Sequence, residues 1–237
     1  MSKPFKFKEF TIKQDQCAMK IGTDGVLLGA WTSIPPNSNS ILDIGAGTGV
    51  IALMLAQRSS AESIEAIEID DAAYEQCVDN FEDSPWGDRL FCYHAGLDEL
   101  VSEIDERYDL IVSNPPFYLE EVSSGNVSRD IARQNNSLPF DELLQAVTQL
   151  LSPTGSFAVI IPYKEETNFL KIAVDLGLYP NRITNVRGNA GAPVKRSLLQ
   201  FTFEERVPVK DELVIEVERH QYTKEYTELV NTFYLKM

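Results

Sequence analysis

From Ser40 onward the chain alternates short apolar runs with longer segments whose apolar residues recur every three or four positions. The runs "SILDIG", "SIEAIEI", "RLFCY", "YDLIVS" and "FAVIIP" have the length and branched content of buried strands. Between them, helical spacing runs from about Thr48 to Arg58, from Asp71 to Phe81 and from Leu97 to Ile104. A further helix is predicted in "LPFDELLQAVTQLL", ended by "SPTGS". Strands alternating with helices of this length predict a mostly parallel sheet covered on both faces and joined by right-handed crossovers. Ahead of this rhythm, "FKFKEFTIKQ" alternates like a strand, and "IPPNSNS" (Ile34 to Ser40) has the composition of a linker. The tail "LVIEVERHQYTKEYTELVNTFYLKM" reads as one more strand and an amphipathic helix, and the polar stretch 123–136 reads as a mobile loop. The expected architecture is one α/β domain, with an N-terminal extension over 1–38 and a core over 39–237.

Length and composition fit this picture: 237 residues, 43% hydrophobic and 24% charged, can bury one sizeable core. No apolar run is long enough to span a bilayer, and "MSKPFKFKEF" lacks the apolar centre of a secretion signal. The three cysteines (Cys17, Cys77, Cys92) are far apart and not at metal-ligand spacing, so no metal and a reducing cytoplasm are expected. A net charge of −15 argues against nucleic-acid binding by the surface as a whole. The charge is unevenly spread, however. Asn181 to Phe203 contains Arg182, Arg187, Lys195 and Arg196 and no acid, and the first 31 residues carry five lysines against three acids. Such patches suit a polyanionic partner, and equally an ordinary solvated surface.

The first core strand runs into "LDIGAGTGV", with Gly45, Gly47 and Gly49 at alternate positions. In an open α/β sheet this turn lies at the carboxyl edge, where ligands bind. The dinucleotide fingerprint requires a further glycine where Val50 stands, and no lysine is present for a triphosphate loop. Glycines spaced by two and preceded by Asp43 instead resemble the S-adenosylmethionine loop of the Rossmann-like methyltransferases. The second strand ends in "AIEID", and Glu68 follows Gly49 at about the spacing from which an acid reaches ribose hydroxyls. A helix-terminal acid is the plainer role, one better suited to Asp70 or Asp71.

The run "DLIVSNPPFYLEE" ends a core strand at Asn114 and follows it with Pro115, Pro116 and Phe117. Prolines cannot continue a strand ladder, and Pro115 holds Asn114 extended. The Asn114 side-chain oxygen and the Pro115 carbonyl are therefore expected as fixed acceptors beside the glycine loop. Two such acceptors suit a planar NH2 group, and Phe117 offers a face for stacking a base. A strand-ending turn is the simpler reading of Asn-Pro-Pro taken alone. His94 and His220 are expected to be structural.

Taken together, "FTIKQDQCAMKIGTDGVLLGAW", "LDIGAGTGVIALMLAQR", "AIEID", "SPW", "SNPPFY" and "YTKEYTELVNTFYLKM" resemble the bacterial tRNA1(Val) (adenine(37)-N6)-methyltransferases over nearly the whole chain. The resemblance implies a class I fold with a seven-stranded sheet, S-adenosylmethionine as methyl donor, and a tRNA anticodon loop as partner of a monomeric enzyme. It implies that the turn from Lys20 through Thr23 to Asp24 closes over the methionine end of the cofactor. A helix starting at Thr23 or Asp24 is the alternative. The family's usual tyrosine after the prolines is Phe117 here. Its aspartate for the cofactor adenine is replaced by Gly96, which leaves Asp98 or a backbone carbonyl for that contact. Arg129, Arg133, Arg182, Arg187, Lys195 and Arg196 are the candidate RNA contacts. The same clamp would accept guanine N2 of ribosomal RNA or a protein glutamine amide. A SAM- and RNA-binding protein without turnover is a further alternative.

Overall fold

A computed structural model describes residues 3–116 and 138–237. The elements in chain order are β1 (Phe5–Lys6), β2 (Thr11–Ile12), α1 (Thr23–Trp31), β3 (Ser40–Ile44), α2 (Val50–Arg58) and β4 (Ser63–Glu68). They continue with α3 (Asp71–Glu82), β5 (Leu90–His94), α4 (Leu97–Glu103), β6 (Tyr108–Ser113), α5 (Phe140–Leu150) and β7 (Leu151–Pro162). The last are α6 (Glu166–Asp175), β8 (Tyr179–Asn189), β9 (Val194–Thr202), β10 (Val209–Glu218), β11 (Gln221–Tyr222) and α7 (Lys224–Val230).

One large sheet has the order β11-β10-β8-β9-β7-β6-β3-β4-β5. Strands β3 to β7 pair in parallel, while β9 runs antiparallel between β7 and β8. This is the Rossmann-like arrangement, with a correction to the expected strand count. The sheet has nine strands among the described residues, because β10 adds in parallel beside β8 and β11 closes the edge. The strand alternation of the core separates two apolar layers. Ile41, Leu110, Val112, Ala158 and Ile160 face the layer of α1, α2 and α7, whereas Leu42, Ile44, Ile111, Phe157 and Val159 face the layer containing Leu143 and Phe169.

Three parts differ from the sequence expectation. "FKFKEFTIKQ" is a hairpin, not one strand: Phe5 pairs with Ile12 and Lys6 with Thr11. "SPTGS" lies inside β7, accommodated by a register shift between Tyr108 and Leu110 on the partner strand. The segment α6-β8-β9 was not anticipated, because the polar residues interrupting β8 mask its period-two pattern. Helix α1 is buried over most of its surface, from Gly25 to Trp31. Its glycines allow this: a Cβ on Gly29 would lie 2.8 Å from Met54 Sδ, and one on Gly25 3.2 Å from Val50 Cγ1. The α1 and α2 backbones therefore approach closely. Among the described residues no helix is long and apolar enough to cross a membrane.

Candidate active site

Strands β3 and β6 stop together. They pair in register from Ile41–Leu110 to Ile44–Ser113, and Ser113 Oγ donates to the Ile44 carbonyl at 2.9 Å. The next residues are Gly45 and Asn114, so the glycine loop and the Asn-Pro-Pro corner open side by side at the carboxyl edge. Asn114 and Pro116 are half-buried and Pro115 is buried. Phe117, Arg129 and Arg133 lie outside the described residues, as does the stretch 123–136 read as a loop.

All three loop glycines have left-handed backbones, with φ of 74° at Gly45, 55° at Gly47 and 76° at Gly49. A residue with a side chain would be strained there by about 1–3 kcal/mol. Gly47 has nothing within 4 Å of where a Cβ would stand, and neither does Gly45, so the loop presents bare backbone to open space. Gly49 differs: its Cβ would fall 2.5 Å from Phe81 Cε1 and 2.9 Å from Cys77 Sγ, so packing on α3 excludes a side chain as well.

Two acids hold this loop. Asp43 is buried beneath it, with Oδ2 accepting from Ala52 N at 3.1 Å, so it fixes the first turn of α2. Its Oδ1 has no hydrogen-bond partner among the described residues. Burial above all, with the Glu68 charge adding to it and the Ala52 N–H opposing, pushes the Asp43 pKa up to about 7. Glu68 Oε2 accepts from Gly47 N at 2.8 Å, and Oε1 accepts from Ile69 N and Asp70 N at 2.9 Å each. A carboxylate has about four acceptor directions, so three backbone donors leave one open. An open backbone floor beside an acidic acceptor fits a ligand that presents hydroxyl donors, as the ribose of S-adenosylmethionine does. Asp70, not Glu68, caps α3 by accepting from Ala73 N at 2.9 Å.

Gly96 precedes α4, and a Cβ on it would lie 2.7 Å from Asp98 Oδ1. The missing side chain thus makes room for the Asp98 carboxylate. Ile69, 3.9 Å from that same point through Cδ1, is a large apolar side chain left 64% exposed between acidic neighbours. Sequence reasoning passed over it, although an isoleucine just past a strand end between two acids was a usable signal. His94 has Nε2 3.1 Å from the Ile69 carbonyl and its ring stacked on Tyr74.

The segment before α1 is strapped across this edge by two unanticipated side chains of α3. Asn80 Oδ1 accepts from Lys13 N at 2.8 Å, while its Nδ2 donates to Lys13 O at 3.0 Å and to Thr48 O in the glycine loop at 2.9 Å. Gln76 donates to Asp15 Oδ1 at 2.9 Å and accepts from Gln16 N and Cys17 N at 3.1 and 3.2 Å. Cys17 is thereby held near Glu68 and Asp70. Burial first, then those carboxylates, push its thiol up to about 12, which keeps it protonated and unreactive. Lys20 is exposed on this strap. Helix α1 does begin at Thr23, but Gly22 is its cap residue and no side chain caps it. Asp24 is engaged by Arg196 Nε at 2.8 Å.

The basic stretch is mostly turned to the protein itself. Arg182 sits 4.4 Å over the Trp31 ring and donates to Trp31 O at 3.1 Å, at the end of α1 away from the glycine loop. Arg187 pairs with Glu212 at 2.8 Å and donates to Ala192 O at 2.8 Å. Arg196 holds Asp24, while Lys195 beside it is exposed. Among the described residues no group of three His, Cys, Asp or Glu side chains could hold a metal ion.

A mostly parallel sheet whose β3 ends in this glycine loop, with Glu68 at the next strand end and Asn-Pro-Pro beside it, defines a Rossmann-like methyltransferase. The solved structure of a predicted O-methyltransferase from Agrobacterium tumefaciens superimposes with a TM-score of 0.69 at 18% identity, covering 89% of this chain and 96% of that one. The methyltransferase small domain model matches residues 21–168. Two curated relatives extend the match to both ends. One from Christiangramia forsetii is 58% identical over 100% of this chain and 99% of its own, and one from Flavobacterium psychrophilum is 59% identical over 98% and 100%. Both are named tRNA1(Val) (adenine(37)-N6)-methyltransferase, and this chain belongs to that family.

Proposed function

We propose that this protein methylates the exocyclic N6 amine of adenine 37 in the anticodon loop of tRNA1(Val), with S-adenosylmethionine as donor. The observation that carries the chemistry is the pinned end of β6: Ser113 is tied to Ile44, so Asn114 and Pro115 emerge beside the glycine loop. When bound, S-adenosylmethionine supplies a methyl group on a sulfonium. Gly45, Gly47 and Glu68 form its floor and ribose acceptor, Asp43 fixes the loop from below, and Asp98 with Ile69 borders the adenine. Lys20, Thr23 and Asp24 border the methionine end.

Asn114 Oδ1 and the Pro115 carbonyl accept the two amine hydrogens and hold them away from the ring plane. The nitrogen lone pair, otherwise delocalised into the purine, is then aimed at the methyl carbon for in-line attack. The bound cofactor would supply its methyl group to that nitrogen, its sulfur leaving as a neutral thioether, and the methylated nitrogen would give up a proton to water. No strong base is required of the chain. A single-stranded loop base reaches such a pocket at little unstacking cost. Phe117 stacks on that base, and Lys195, Arg129 and Arg133 are the candidate phosphate contacts. The chain works as one domain, since Phe7, Ile12, Val230 and Phe233 share a core cluster with Leu53 and Ile64. We place it in the cytoplasm as a monomer.

The test is methyl transfer from labelled S-adenosylmethionine into unmodified total tRNA, followed by nucleoside analysis. Label in N6-methyladenosine, absent with Asn114→Ala, is expected. Retained cofactor binding with no label in tRNA would overturn the substrate.

A further inference from the structure

Most of both chain ends lies outside residues 21–168, the span matched by the methyltransferase small domain. They meet each other in the fold. Phe7 forms an antiparallel bridge with Tyr234, Lys8 N donates to Phe233 O at 2.8 Å, and Lys8 Nζ reaches Asn231 O. Aromatic contacts bind the junction: Phe7 to Phe10 at 4.6 Å between ring centres, Phe7 to Tyr234 at 5.8 Å and Phe5 to Phe7 at 4.8 Å.

Between this junction and the β10-β11-α7 corner lies a groove of about 690 Å³. Phe5, Tyr222, Tyr226 and Tyr234 line it, together with Gly22 and Thr23 at the start of α1. Thr23 opens α1, and Gly25, two residues on, packs against Val50, the first residue of α2 after the glycine loop. The groove therefore continues the edge on which the site opens. Tyr226 is buried, but Tyr222 is 41% exposed, its ring 5.3 Å from that of Tyr226 and tilted by 39°. The Tyr222 ring thus packs on Tyr226 while part of it stays in water, where it is available for stacking. Lys6 and Lys236 also line the groove, and Lys20 is adjacent to its Ile21. Glu216 is the acid among the lining residues, and its Oε1 accepts from His220 N at 3.2 Å. In a chain of net charge −15, this groove sets two lysines against one glutamate beside four aromatic side chains, a combination suited to single-stranded nucleic acid.

We propose that this groove holds an unpaired nucleotide of the RNA substrate close to the target adenine, its base stacked on Tyr222 and its phosphate between Lys6 and Lys236. The inference rests on the RNA reading of the active site. It makes the two chain ends a second recognition element, separate from the pocket that performs the chemistry.

The test compares Tyr222→Ala, Tyr222→Phe and the double variant Lys6→Glu, Lys236→Glu with the unaltered protein, using a tRNA transcript. These positions are exposed or at the rim, and S-adenosylmethionine affinity serves as the control for folding. Tyr222→Ala should raise KM for the transcript about 5- to 100-fold, as expected when one base stack is removed, with kcat at saturating RNA and cofactor affinity unchanged. Tyr222→Phe should keep the native KM. The charge variant should make the slope of log KM against log salt shallower by about 0.7 for each phosphate no longer neutralised. An unchanged KM and salt slope in variants of a protein that does methylate tRNA would overturn the groove alone. A native protein that binds cofactor but neither methylates nor binds the transcript would overturn the RNA reading itself. If the variants weaken docking of a protein substrate instead, the groove is a protein-binding surface and the proposal fails.

Discussion

At the centre of the sheet, β3 and β6 are five and six residues long and end together. Their next residues, Gly45 and Asn114, leave the β3–β6 ladder side by side. Toward the opposite flank, β8, β9 and β10 run for eleven, nine and ten residues, and their charged side chains close on each other: Arg187 on Glu212, Arg182 on Trp31 and Asp211. Both regions are rich in polar residues, but Asn114 follows the end of its strand, whereas these charged side chains lie within paired strands. The difference teaches that a polar residue is freed for a ligand where its strand stops, more than where it is embedded in a long paired strand. The number of charges in a stretch is a weaker guide, since a long paired strand supplies cross-strand partners of opposite sign.

The sharpest test of this contrast sets Asn114 against Arg182. Asn114→Ala should lower kcat by about 10²- to 10³-fold, as for removal of one preorganised polar group, with cofactor affinity retained. Single-turnover methyl transfer measures it. A comparable loss from Arg182→Ala would break the contrast. Within the loop, Gly49→Ala should cost roughly 3–5 kcal/mol, combining left-handed strain with overpacking against Phe81 and Cys77. Gly47→Ala should cost only about 1–2 kcal/mol, because space above it is open. Urea unfolding separates the two, and equal losses would mean that packing on α3 does not matter.

Smaller effects sharpen the comparison on the basic flank. Lys195→Glu should raise KM for tRNA several-fold, while Arg182→Ala should leave KM alone and destabilise by about 1 kcal/mol, since the cation no longer sits over the Trp31 ring. A further test within the loop is the pH dependence contributed by Asp43. Its pKa is raised from the usual carboxylate range to about 7, so between about pH 4 and 7 the folded state binds more protons than the unfolded state. This group's contribution to stability therefore falls as pH rises through that window and is level above it. The difference between unfolding curves of the native protein and Asp43→Asn should show that fall. A difference curve rising with pH would show that Asp43 is charged and stabilised in the fold.

The alternation of strands and helices from Ser40 to Ser113 was legible because each element carries its own period. The spacing of Gly45, Gly47 and Gly49 and the proline corner after Asn114 were legible because backbone conformation limits residue choice locally. Ser113 was not singled out, since its bond to Ile44 spans 69 positions of sequence. Gln76 and Asn80 read as ordinary polar positions on a helix, and only the fold brings Lys13 to Cys17 beneath them. Arg182, Arg187 and Arg196 read as a binding patch because their partners Asp211, Glu212 and Asp24 come from distant strands and α1.

The sequence by itself determined the parallel core, the left-handed glycine loop, the proline corner at the end of β6 and the family, all of which depend on contiguous residues with narrow stereochemical tolerance. The tertiary structure alone decided which charges are neutralised, how the N-terminal strap is fastened over the loop, that β10 and β11 extend the sheet, and that the two chain ends join into one groove. Those outcomes depend on pairings between residues remote in sequence, and no local period or propensity encodes such a pairing.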